Sequence, residues 1–99
     1  MQYNKLVRDK IPEILDAKGV PYEARAANDE EYKVELIKKL EEEILEFKEN
    51  PVPEELADIQ EVVDALKKLS SFESTDAVQK QKREERGGFE KRIIIKGEK

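Results

Sequence analysis

From Asn28 to Leu69 apolar residues recur every three to four positions, and the run is broken once, at Asn50-Pro51-Val52-Pro53. That recurrence is the period of an α-helix. One side of the break carries Leu36, Ile37, Leu40, Ile44 and Phe47; the other carries Leu56, Ile59, Val62, Val63, Leu66 and Leu69. The two prolines stop one helix and start the next, and so short a connection makes the helices antiparallel neighbours. Asn28, with Glu31 three residues on, has the pattern of a capping box at the first helix start. The chain is therefore expected to be built on a helical hairpin.

The flanks supply smaller elements. Pro12 suits the first turn of a short helix, with Asp9 as its cap, an apolar side of Ile11, Ile14 and Leu15, and Gly19 as its end. Ser74 or Thr75 starts a further helix through KQKREER that stops at Gly87-Gly88. Val20 to Ala27 and Phe89 to Lys96 (FEKRIIIK) read as strands. A lone strand leaves its backbone unpaired, so these two are expected to pair with each other. The expected fold is mainly α, one domain over residues 1–99, with a two-stranded β appendage.

With 37% hydrophobic and 43% charged residues among 99, a monomer has little material for a thick core. A thin hairpin that buries its remaining apolar face in an oligomer fits that balance. The chain has no cysteine and no histidine, which removes disulfides, thiolate metal sites and imidazole as base, nucleophile or ligand. Catalysis must use carboxylates, amines, hydroxyls or a bound metal. The net charge is −5, so a general polyanion binder is not expected, although Lys80 to Arg92 is basic. No apolar run approaches the roughly 20 residues of a membrane span, and the N-terminus is charged from Lys5 onward. No membrane or nucleic-acid partner is expected, and the expected location is the cytoplasm.

The hairpin carries two pairs of acids, Glu43 with Glu46 and Glu55 with Asp58, each three residues apart and so on one helix face. At about 100° per residue, Glu43 lies beside the apolar stripe and Glu46 one step further round. Glu55 falls inside the apolar sector of its helix and Asp58 at its edge, whereas Glu41 and Glu42 point away. Acids on a buried face normally have a cation partner. Lys39, near the Glu43 face, is one; a divalent ion explains two opposed pairs better. Four carboxylate oxygens suit Mg²⁺, with Mn²⁺ as a substitute. Such an ion bridges carboxylate and phosphate oxygens and activates water, with Glu43 or the nearby Glu42 as base.

Glu42-Glu43-Ile44-Leu45-Glu46 followed by Glu55-Leu56-Ala57-Asp58 resembles the EExxE…ExxD signature of the MazG-type, all-α NTP pyrophosphohydrolases. YNKLVRDKIPEIL at one end and RGGFEKRIIIK at the other resemble its small phosphoribosyl-ATP pyrophosphohydrolase-like branch, so the resemblance spans almost the whole chain. It implies a helical bundle that assembles as homodimers or homotetramers. It also implies Mg²⁺ held by Glu43, Glu46, Glu55 and Asp58, and hydrolysis of a nucleoside triphosphate to monophosphate and pyrophosphate. Glu42 would serve in the outer sphere or as base. The loop between the acidic pairs is shorter than in many relatives, and the terminal strands are an addition to the helical core.

Bases for a triphosphate are Arg8 and Lys10 at the first helix, Lys39 beside the acids, and Arg83, Arg86 and Arg92 around Gly87-Gly88. The last group equally complements a helix C-terminus capped by Gly87. Tyr3, Tyr22 and Phe89 serve either to stack on a base or to pack in a core or interface. The competing reading of the whole chain is a non-catalytic helical module whose faces pack on a partner.

Overall fold

In a computed structural model the described residues are 4–98. Among them the regular elements are helices: α1 Ile11–Ala17, α2 Asp29–Glu49, α3 Pro53–Lys67 and α4 Thr75–Arg86, with a 3₁₀ turn at Ser70–Phe72. Tyr3 lies outside the described residues.

The hairpin is present and its boundaries have local causes. The Asn28 side chain accepts from the Glu31 backbone N–H at 2.9 Å, which satisfies one orphan donor of α2. The capping box is only half made, because the Glu31 carboxylate is held instead by both guanidinium nitrogens of Arg25 at 2.6 Å. At the other end the chain leaves helical geometry at Asn50 and is extended at Val52, and Pro53 opens α3 in the first turn. α2 and α3 then pack along each other, the principal contact between elements.

The core is as thin as the composition requires. Leu36 and Val62 are its buried apolar residues, with Leu40, Phe47, Ile59, Val63 and Leu66 half-buried around them. Ile37, Ile44 and Leu56, expected on the inner stripes, are at least 40% exposed. A two-helix contact covers a narrower sector than the apolar residues occupy, so the edges of each stripe stay outside.

The residue at the N-cap of α1 is Lys10, without a side-chain cap hydrogen bond, rather than Asp9. The helix ends in a Schellman turn: the Val20 N–H donates to the Leu15 carbonyl at 3.0 Å and the Gly19 N–H to the Asp16 carbonyl at 3.1 Å. Gly19 takes φ +68° there, the left-handed region where glycine carries no Cβ penalty. Leu69 lies beyond α3, and Lys33 Nζ sits 5.0 Å from the centroid of the Phe72 ring, tying the 3₁₀ turn to α2. Ser74 occupies the cap position of α4 without a capping hydrogen bond, and Thr75 Oγ1 donates to the Phe72 carbonyl at 2.6 Å. α4 has no buried residue and is joined to α3 by a Lys67–Asp76 pair at 2.7 Å.

The two-stranded appendage is not formed: among the described residues there is no strand. Residues 20–27 contain Pro21, which has no N–H, and are drawn toward the start of α2 by the Arg25–Glu31 pair. Residues 89–96 are interrupted by a turn, in which the Arg92 N–H donates to the Phe89 carbonyl at 3.0 Å and Arg92 has φ 56°. Phe89, Ile93, Ile94 and Ile95 are 72–96% exposed. β-propensity needs a neighbouring strand and a surface to pack on, and this segment has neither among the described residues.

The molecule is elongated, 55 × 32 × 24 Å, with a radius of gyration of 17.8 Å where about 13 Å is usual for a compact domain of this length. Its accessible surface is 9502 Å², against about 5,800 Å² for a folded monomer of this mass. No helix among the described residues is long and apolar enough to cross a membrane.

Candidate metal centre

The α2–α3 contact brings carboxylates together. One oxygen each of Glu43, Glu55 and Asp58 lies within 4.8 Å of the other two. The hairpin does this directly, since Glu43 is near the end of α2 and Glu55 and Asp58 are in the first two turns of α3. Glu43 is 6% exposed, the one buried charged residue among those described. Its Oε1 is 3.5 Å from Lys39 Nζ, while its Oε2 and the Oε2 of Glu55 are buried and accept no hydrogen bond among the described residues.

The electrostatics follow from that geometry. Burial first, and then the approach of Glu46 and Asp58, raises the pKa of Glu43 above the ordinary glutamate value; Lys39 opposes the shift. Burial, and then the charges of Glu46 and Asp58, also raises Glu55. Glu46 is exposed and stands outside the tight group of three, but its effect on both neighbours puts it at the rim.

Glu42 does not point away into solvent. It accepts from Lys5 Nζ at 3.0 Å and lies 3.5 Å from Lys39 Nζ, and chiefly the Lys5 contact lowers its pKa. Residues 4–6 thus lie against α2, and a shallow cleft between them is lined by Lys5, Glu35, Lys38, Lys39 and Glu42. Arg8 reaches the cluster as well: its Nη2 is 2.6 Å from Asp58 Oδ1. Sequence spacing carries no signal for a partner 50 residues away, and Arg8 suggested a phosphate ligand rather than the cation of Asp58.

The other expected bases are elsewhere. Lys10 caps α1 with an exposed side chain. Arg83 is paired with Glu90 at 2.7 Å, and Arg86 and Arg92 are exposed on a helix and tail that do not pack extensively on α2 or α3. The structure therefore does not gather Arg83, Arg86 and Arg92 around the carboxylates, and Gly87 ends α4 with its N–H on the Arg83 carbonyl. Tyr22 lies against Asp16, which raises the pKa of its phenol, and Phe89 is in solvent.

The donor set fits a hard divalent cation. Its ligand atoms are all oxygens, the preference of Mg²⁺. Ligand bonds of about 2.1 Å place oxygens at most about 4.2 Å apart across one Mg²⁺, comparable with the 4.8 Å within which the three oxygens lie. Two buried, unpartnered carboxylate oxygens are unusual in a folded protein and call for an ion, a water or a proton. No protein-family model, curated protein or solved structure matches the chain.

Proposed function

We propose that the chain is a Mg²⁺-dependent nucleotide pyrophosphohydrolase, converting a nucleoside triphosphate or a related nucleotide to the monophosphate and pyrophosphate. One observation carries most of the reading: Glu43 is buried beside Glu55 and Asp58 with an oxygen that no hydrogen-bond donor among the described residues satisfies. Glu43, Glu55 and Asp58, with Glu46 at the rim, would hold Mg²⁺; Mn²⁺ is a substitute. When bound, the ion lowers the pKa of coordinated water and offsets charge on phosphate oxygens.

The residues around it divide the remaining work. Water attacks the α-phosphorus, the bond from that phosphorus to the bridging oxygen breaks, and pyrophosphate leaves with the electron pair. Glu43 is committed to the cation, so Glu42 is the carboxylate that accepts the proton of the attacking water. Lys5 and Lys39 keep Glu42 ionised and fixed in place. Lys39 also faces the site and offers a charge to the substrate phosphates. Assembly as a homodimer or homotetramer belongs to the same proposal, supported by the exposed stripe edges and the large accessible surface.

A panel of nucleotides assayed for pyrophosphate release, with Mg²⁺ and with chelator, tests the activity. Glu43→Gln and Asp58→Asn are each expected to lower turnover on the order of 100-fold or more with helix content unchanged. Unchanged turnover in both would remove the site assignment. The non-catalytic alternative requires no nucleotide to be turned over at all.

A further inference from the structure

We infer that Arg8 is the resident counter-ion of the acidic cluster, which a divalent cation displaces from Asp58 and so frees to grip a phosphate oxygen. The inference rests on the metal-site reading above and adds an order to it: cation first, anion second. Among the described residues Arg8 is held by a single ion pair, Nη2 to Asp58 Oδ1 at 2.6 Å, and its side chain is 56% exposed. One contact uses little of the fork that makes arginine–carboxylate pairs strong. The segment that carries it has no regular structure from residue 4 to residue 8.

The guanidinium also leaves the deepest part of the cluster untouched. It reaches the rim at Asp58, while the Oε2 atoms of Glu43 and Glu55 remain buried without a donor among the described residues. A planar guanidinium is too broad to enter between three oxygens within 4.8 Å of one another, whereas a small ion is not. A dication seated there repels the neighbouring guanidinium and competes with it for Asp58. Once released, Arg8 stays close, because Lys5 holds the same segment to Glu42 on α2. Its free fork then matches a phosphate oxygen pair, the group an acidic cluster repels unaided.

The test is calorimetric titration of the full chain with Mg²⁺ alone, and then of the Mg²⁺-loaded protein with inorganic phosphate. Arg8→Gln is expected to bind Mg²⁺ about two- to fivefold more tightly than wild type, the scale of an exposed ion pair. It is expected to bind phosphate about tenfold more weakly. Arg8→Lys, which keeps the charge, is expected to bind Mg²⁺ as wild type does. Mg²⁺ binding that is lost in Glu55→Gln but unchanged or weakened in Arg8→Gln overturns the role of Arg8 and leaves the metal site standing. Phosphate affinity unchanged in Arg8→Gln likewise overturns it. Absence of Mg²⁺ binding in wild type and variants alike overturns the metal site itself, and the inference with it.

Discussion

Glu43 concentrates the physical tension of the molecule. It is a carboxylate on a packed helix face with one oxygen near Lys39 and the other unsatisfied. Its pKa is raised in the folded chain, as is that of Glu55. A raised carboxyl binds its proton more tightly when folded, so the associated stability is present at low pH. That stability fades as pH climbs from the ordinary 4.5 through the raised value. At neutral pH without metal, both ionised groups therefore work against folding. Glu43→Gln is accordingly expected to raise the melting temperature of the metal-free protein at pH 7 by several degrees, 1 kcal/mol being about 4–8 °C for a domain this size. The gain should shrink toward pH 4, and added Mg²⁺ should stabilise wild type but not the variant. A metal-free melting temperature lowered by Glu43→Gln at pH 7 contradicts the assignment of an unsatisfied buried charge.

At the scale of elements, what was legible in the sequence is what local chemistry decides. The start of α2 at Asn28, the break at Asn50–Pro53, the opening of α3 at Pro53 and the glycine end of α1 all rest on residues adjacent in the chain. The approach of Glu43 to Glu55 and Asp58 was legible for the same reason: a short hairpin converts helix phase into proximity. Asn28→Ala is expected to destabilise the protein by about 1 kcal/mol, with Asn28→Asp close to neutral. Equal loss in both, measured by denaturant melts, would show that the side-chain cap is not what sets this boundary. The strands were misread because a run such as Ile93-Ile94-Ile95 reports affinity for a pleated surface without saying whether one is available. The Arg8–Asp58 and Lys5–Glu42 pairs were invisible because they depend on where an irregular segment lies.

For the whole molecule, Leu36 and Val62, the buried apolar residues among those described, are a small core. The accessible surface exceeds that of a compact monomer by about 3,700 Å², well above the roughly 800 Å² per partner that a standard stable interface covers. Ile37, Ile44 and Leu56, each at least 40% exposed, are the edges of the stripes at the α2–α3 contact, where a second hairpin would complete a four-helix arrangement. Light scattering is expected to give a dimer or tetramer at micromolar concentration, with a melting temperature that rises with protein concentration. A monomer with a concentration-independent melt contradicts the proposed assembly.

The carboxylates of this hairpin are proposed to hold a divalent cation. Titration of Mn²⁺ into the full chain, with free ion followed by electron paramagnetic resonance, measures it without any substrate. Saturable binding that Mg²⁺ competes away and that is lost in Glu55→Gln is the expected result. Equal uptake by wild type and Glu55→Gln, or none by either, contradicts it.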